Sequence, residues 1–254
     1  MKFSIVTPSF NQGRFIRDCL ESVRAQTGVE TEHIVMDARS TDATVSILQS
    51  YPHLQWVSEP DKGQTDAINK GFRRATGDWL MWLNADDYLL PGSLAKVLAH
   101  AAREPDAEII YGDCLFVDEK GNVIRRRCEG GFDFNMLLFY GCYIPSTAAF
   151  YKRSLIEAGF LLDDSYKVCM DFEYYMRLAC AGRKFSHVDE ALACFRWHET
   201  NVSSLHAKRG YEERLSIQRE SLRKVGRPSW LGNEMLLRFF AAVYSLKRLV
   251  VRYF

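Results

Sequence analysis

The chain has 254 residues, 47% of them hydrophobic and 26% charged, which suits one large folded domain or one domain with a tail. A net charge of +1 argues against a nucleic-acid partner, and seven cysteines without a C-x-x-C pair fit neither a disulfide framework nor a zinc site. The charge is uneven: from His206 onward 11 Lys+Arg face 4 Asp+Glu (+7), and before it 22 face 28 (−6).

Phe3–Thr7 is a short apolar run stopped by Pro8 and predicts a buried strand. Phe15, Ile16, Cys19, Leu20 and Val23 recur at helical spacing. His33–Met36 predicts a second strand, ending at Asp37. Ser40 or Thr41 is then a candidate N-cap for a helix carrying Val45, Ile47 and Leu48. Leu54–Val57 is a third strand, Gln64–Ala75 a third helix and Trp79–Leu83 a fourth strand. This alternation predicts an α/β fold, with a mixed, mainly parallel sheet and helices on both faces. Ligands in such sheets bind at the carboxyl ends of strands. Polar residues stand at three of those ends: Thr7-Pro8-Ser9, Asp37, and Asn84-Ala85-Asp86-Asp87.

The second half is less regular. Ile109–Tyr111 and Ala148–Tyr151 read as strands, and Glu119-Lys120-Gly121-Asn122 between Cys114–Val117 and Val123–Arg127 is a hairpin signal. Asp171–Ala181 reads as a helix ended by Gly182, and 184–197 as one or two strands. Helical stretches at 209–225 and 233–253 are separated by Gly226-Arg227-Pro228-Ser229.

Carboxylate and amide oxygens such as those of Asn84, Asp86 and Asp87 suit hard cations, Mg²⁺ or Mn²⁺, which commonly complete their shell with water and a substrate's phosphates. The bland alternative is a turn, since Asp is common there and Pro91-Gly92 follows. The stretches SIVTPSFNQGRFIRDCLESVRAQ, HIVMDARSTDAT, EPDKGQTDAINKGFRRATGDWLMWLNADDYLLPGSL, GFLLDDSYKVCMDFEYYMRL and RWHETNVS weigh against that alternative. In this order the chain resembles the inverting family 2 glycosyltransferases of the GT-A fold.

The resemblance implies a role at each matching position. Thr7, Pro8 and Ser9 line the nucleotide site. Asp37 bonds the base, in a segment where Ala38 and Arg39 replace two glycines, and Arg39 either reaches a phosphate or sits outside. Lys62, Gln64, Asp66 and Asn69 border the sugar nucleotide. Asn84-Ala85-Asp86 takes the D-x-D place, with Asp86 the metal's main ligand and Asp87 supporting. Asp171 matches the second acid of the family's E-D pair, with Met170 in place of the Glu, and becomes the general base. Its alternative role is a helix N-cap, and Glu173, Asp163 and Asp164 are rival acids. His198 approaches the diphosphate or the metal, or is an ordinary core or surface histidine.

The expected activity is metal-dependent (Mn²⁺ or Mg²⁺) transfer of a single hexose from a nucleoside-diphosphate sugar, UDP favoured, to a saccharide or lipid-linked saccharide. The expected setting is bacterial surface polysaccharide or lipopolysaccharide assembly. Arg196-Trp197 resembles the end of the Q-x-x-R-W of processive synthases, but Ala193 stands where the Gln would be, which favours single additions. The organisation expected is a catalytic domain over 1–205, with a nucleotide-sugar part (1–110) and an acceptor part (111–205), and a basic helical extension over 206–254. In that extension Phe239, Phe240, Val243, Leu246, Leu249 and Val250 form a candidate apolar face, beside Arg238, Lys247, Arg248 and Arg252. Such a helix lies at a membrane surface, packs on the domain, or forms a homodimer contact. No secretory leader and no stretch of roughly 18 apolar residues is read from the sequence, so a cytoplasmic or inner-face location is expected. Two alternatives compete. A sugar nucleotidyltransferase would carry a G-G-x-G-x-R loop after the first strand, where T-P-S-F-N-Q-G-R stands. A non-catalytic nucleotide-sugar-binding or scaffolding protein draws support from Asn84 and Met170.

Overall fold

Strand β1 (Lys2–Ser9) buries every side chain from Phe3 to Ser9. A strand covered by helices on both faces has no solvent side, so it reads as a continuous run rather than an alternation. In the computed structural model, which describes residues 1–199, 201 and 206–253 and side chains up to 248, β1 lies between β2 (Glu30–Asp37) and β4 (Trp79–Trp82). Both pairings are parallel, as is that of β2 with β3 (Gln55–Ser58). The crossovers are α1 (Ile16–Arg24), α2 (Thr44–Gln49) and α3 (Gln64–Arg74). The register sets Ser9 beside Asp37, and Leu83 N donates to Val6 O at 2.9 Å. The three polar strand ends therefore come out on one edge.

The other half is joined to β4 antiparallel through β8 (Ala149–Lys152). Strand β8 pairs with the first part of β6 (Ile109–Val117), and β7 (Val123–Arg127) takes the later part as the predicted hairpin. Along its other edge β6 pairs parallel with β9 (Phe185–Arg196), whose end meets the two-residue β5 (Tyr88–Leu89). Stretch 184–197 is thus one strand, bent by register shifts near Asp113. Helix α4 (Ser93–Arg103) follows Gly92, which holds φ +73°, and α5 (Arg153–Glu157) follows β8; neither is anticipated from the sequence. Helix α2 begins later than expected: Asp42, not Ser40 or Thr41, accepts the Thr44 amide at 2.9 Å.

Helices α6 (Met170–Cys180), α7 (Ala207–Lys224) and α8 (Glu234–Tyr253) cover one face. Ile217, Leu222 and Leu237 enter the same core as Trp82, Tyr151 and Tyr174. Phe240 packs on Phe139 at 4.7 Å between centroids, Arg248 pairs with Glu129 at 2.6 Å, and Lys247 pairs with Asp133. The basic tail is therefore partly neutralised by acids of the body. The opposite side of α8 leaves Met235, Phe239, Val243 and Leu246 exposed. Thr200, Val202 and Ser203, invoked from the sequence, lie outside the described residues, as do the side chains of Leu249, Val250 and Arg252.

Helix α3 crosses β1 at Gly71, where an added Cβ would stand 2.3 Å from Val6 Cγ1. Alanine there would gain about 1 kcal/mol of helix propensity. Forcing a methyl into a packed crossing costs typically about 1–3 kcal/mol. The clash is against a branched side chain rooted in the central strand, so it wins. Gly71→Ala is expected to lower the urea midpoint with the slope unchanged. An equal or higher midpoint would mean that α3 is free to slide.

Candidate active site

A cavity of about 670 Å³ opens at the carboxyl ends of β1, β2 and β4. The first turns of α3 and α6 and the segment after β9 complete its wall. Of the residues singled out from the sequence, Pro8, Ser9, Arg39, Gln64, Asn84, Ala85, Asp86, Asp171 and His198 line it. Ser9 Oγ is buried without a hydrogen-bond partner, so a ligand bearing a donor or acceptor would satisfy it. Arg39 holds φ +57°, a left-handed conformation uncommon for a side chain of its size, and projects from an exposed turn.

The turn after β4 is built around a buried carboxylate. Asp87, 1% exposed, accepts from Arg196 N at 2.9 Å, Thr147 Oγ1 at 3.0 Å and Asn84 Nδ2 at 3.2 Å. Burial, and then the neighbouring Asp86, push its carboxyl well above the usual carboxylate range. Arg196 donates from its guanidinium to Asp86 O (2.9 Å), Glu119 O (2.7 Å) and Asp18 Oδ2 (2.6 Å). Its guanidinium carbon also lies 4.9 Å from the Phe15 ring centroid. So clamped, the turn presents Asp86 to the cavity, with Oδ2 2.9 Å from His198 Nε2. The His198 ring stacks on Phe15 at 5.2 Å, and its backbone N–H donates to Asn201 Oδ1 at 2.7 Å.

A divalent cation finds two side chains that fit, Asp86 and His198, an oxygen and a nitrogen side by side on the cavity wall. Among the described residues no group of three or more His, Cys, Asp or Glu could hold a metal ion. The supporting role expected of Asp87 does not match its placement, because its oxygens are taken by donors behind the wall.

Five other expected positions stand off the cavity lining. Thr7 is fully buried and bonds His33 Nε2 at 2.8 Å, two residues short of the strand end where Ser9 reaches the cavity. Asp37, 2% exposed, accepts from Ser40 N at 3.0 Å and Ser58 Oγ at 2.5 Å and braces the loops around the site. Asp66 takes the Lys62 amide at 3.1 Å and the Lys70 ammonium at 3.2 Å at the start of α3, and Lys62 itself is exposed. Asn69 exchanges two hydrogen bonds with the backbone of Leu162, at 2.8 and 3.0 Å.

Among the candidate bases, Asp171 alone borders the cavity. It sits in the first turn of α6, part-buried, accepting from Phe172 N at 2.7 Å and from Cys142 Sγ at 3.5 Å. Burial holds its carboxyl above the usual aspartate value against those two hydrogen bonds. Glu173 is bound to Arg177 at 2.7 Å, and Asp163 accepts from Ser165. Sequence reasoning missed Phe10, Gln12, Pro60, Asp61, Ser146 and Phe195, which also line the cavity. Pro60 and Asp61 lie inside the quoted EPDKGQ stretch and were within reach; Ser146, in the 3-10 turn before β8, and Phe195, on β9, come from distant segments and carried no local signal.

Residues 4–160 match the family described as glycosyl transferase family 2. A glycosyltransferase of PGL/p-HBAD biosynthesis from Mycobacterium bovis is 32% identical over 181 residues, covering 69% of this chain and 68% of that protein. Chondroitin synthase of Escherichia coli is 25% identical over 228 residues, 88% of this chain but 33% of that protein. Among solved structures, TarS of S. aureus in complex with UDP-GlcNAc superposes with a TM-score of 0.73 at 19% identity, covering 96% of this chain and 73% of that one. The mannosyltransferase PcManGT of Pyrobaculum calidifontis, in complex with GDP-Man and Mn²⁺, gives 0.67 at 18%, covering 96% and 74%. These two structures share the fold. With the family model matching more than half of its length, the chain belongs to glycosyl transferase family 2 and is a glycosyltransferase of the GT-A fold.

Proposed function

We propose that the chain moves one sugar from a nucleoside-diphosphate sugar to an acceptor hydroxyl, with inversion at C1. The observation that carries this reading is the position of Asp171, on the wall common to the cavity above and to a second one of about 520 Å³. A donor in the first and an acceptor in the second would meet at its carboxylate. The acceptor oxygen attacks C1, the C1–O bond to the diphosphate breaks, and Asp171 takes the hydroxyl proton. Pro8, Ser9, Arg39, Gln64, Asn84 and Ala85 bind the donor in this reading, with Asp37, Thr7, Lys62, Asp66 and Asn69 supporting the loops that form its pocket.

Asp86 and His198 would hold Mn²⁺ or Mg²⁺, which supplies positive charge to the departing diphosphate. Asn84 ties Gln64 to Asp87, so the departure from D-x-D leaves a working brace rather than a gap. A uridine donor is favoured by the UDP-GlcNAc and UDP bound to TarS; the GDP-Man of PcManGT makes guanosine the competing choice. Surface polysaccharide assembly is the setting supported by the relatives' names. Among the described residues no helix is long and apolar enough to cross a membrane. The exposed Met235, Phe239, Val243 and Leu246, with Arg238 on the same helix, favour contact with an anionic lipid surface on the cytoplasmic side.

Four measurements test this reading. Asp171→Asn should keep the thermal shift given by the correct nucleotide sugar and lose about 10³-fold in kcat. In the parent enzyme, activity should fall as pH drops through a pKa above the ordinary aspartate value, because the protonated carboxyl cannot accept the hydroxyl proton. Full turnover by the Asn variant would remove the base assignment. Chelation with EDTA should abolish transfer and added Mn²⁺ restore it, with Asp86→Ala no longer responding; transfer indifferent to chelator would leave His198 and Arg39 to balance the diphosphate alone. Phosphatidylglycerol vesicles should sediment the chain, and Phe239→Asp with Leu246→Asp should release it. A stable dimer that ignores vesicles would assign that helix face to self-association instead.

A further inference from the structure

The second cavity shares Ser146, Asp171 and Phe195 with the first, and its far wall is the β6–β7 hairpin with the end of β9. Three rings form one surface there: Phe116 to Phe195 at 5.1 Å, Phe195 to Trp197 at 6.3 Å and Phe116 to Trp197 at 6.4 Å. Trp197, 48% exposed, is the open part of this surface, Phe195 is half-buried, and Phe116, 8% exposed, lies beneath Arg125. A pyranose ring has an apolar face of C–H groups that such rings can cover.

Arg125 stands at the rim. It is paired with Phe116 across the hairpin, and its guanidinium carbon lies 4.4 Å from that ring's centroid. The next two arginines of β7 are committed. Arg126 pairs with Asp113 at 2.9 Å, and Arg127 pairs with Glu129 at 2.5 Å while donating to Cys142 O and Tyr143 O. The guanidinium of Arg125 makes no ion pair and no hydrogen bond among the described residues. Stacking engages the face of a guanidinium and leaves its N–H edge free for a planar anion. The charged residues lining this cavity are Asp171, Arg127, which Glu129 neutralises, and Arg125.

We infer that this cavity is the acceptor subsite, and that Arg125 selects acceptors bearing a carboxylate or phosphate close to the sugar that receives the transfer. The inference rests on the reading of Asp171 as the group that activates the acceptor hydroxyl. The anion has two sources, a uronic acid within the saccharide or the phosphate of a lipid carrier. Both present oxygens to the same guanidinium edge.

The test uses the full chain with three acceptors of one size: a neutral disaccharide, its uronic-acid analogue, and its 1-phosphate. Donor binding is followed separately by thermal shift. The parent enzyme should favour at least one anionic acceptor over the neutral one by about tenfold in kcat/KM, the worth of one charge-assisted hydrogen bond. Arg125→Ala should raise KM for that acceptor about tenfold with kcat nearly unchanged, leave the neutral acceptor as before, and keep the donor shift. Arg125→Lys should recover part of the preference. Preference for the uronic acid alone assigns a saccharide carboxylate, and preference for the 1-phosphate alone assigns a carrier phosphate. Equal use of neutral and anionic acceptors by the parent would overturn the inference. So would an Arg125→Ala variant that loses both equally, since a stacked cross-strand pair acting on stability alone does that. Absence of any donor shift would instead remove the transfer reading, and the inference with it.

Discussion

Asp87 is a carboxylate in the core of the molecule, and the geometry of the site follows from how its burial is made tolerable. A buried charge or a buried protonated acid is costly unless its oxygens are hydrogen-bonded. Three donors meet that need, and they come from three places: Asn84 in the same turn, Thr147 before β8, and the backbone of Arg196 at the end of β9. One side chain therefore binds the end of the parallel half of the sheet to the end of the antiparallel half. Arg196 completes the clamp from the other side, spanning Asp86, Glu119 and Asp18. With the turn held this way, Asp86 is left as the carboxylate that reaches the cavity.

Adjacent acids thus receive different duties from different surroundings. Asp87 is structural, Asp86 faces His198 on the wall, and Asp37 braces two serines. Asp171 is set apart by being at a helix start yet bordering two cavities. A helix N-terminus favours the ionised form, and burial opposes it; burial prevails in direction. A carboxyl lifted in this way is a stronger proton acceptor once ionised, which suits an acid meant to take a proton from an alcohol.

The C-terminal helices show the same division. Of the roles read for this basic extension, packing on the domain is met in part: Arg248 and Lys247 reach Glu129 and Asp133 on the body. Leu237, Phe240 and Tyr244 close over the π-helical turn Met136–Tyr140. One apolar stripe of α8 remains uncovered.

The parallel half was legible because its strands are unbroken apolar runs and its helices repeat with a period near 3.6, both local properties of the chain. The strand-end positions of Ser9, Asp37 and Asn84–Asp87 followed directly, as did Asp171 at the opening of a helix. Strand β6 was underread because Gly112 and Asp113 interrupt its apolar pattern, and α4 because Pro91-Gly92 reads as a turn whether or not a helix follows. What the sequence could not decide was which oxygen of a polar cluster faces the ligand. Thr7 and Ser9 share a face of β1 and differ in what covers them: His33 takes Thr7, whereas Ser9 stands at the strand end on the cavity. Asp86 and Asp87 differ in side-chain direction, which depends on a guanidinium 110 residues away from Asp86. The sequence by itself determined the elements and the chemical types at their ends, because those are local. Only the tertiary structure decided which of those groups meet in a cavity, because that depends on contacts between distant segments.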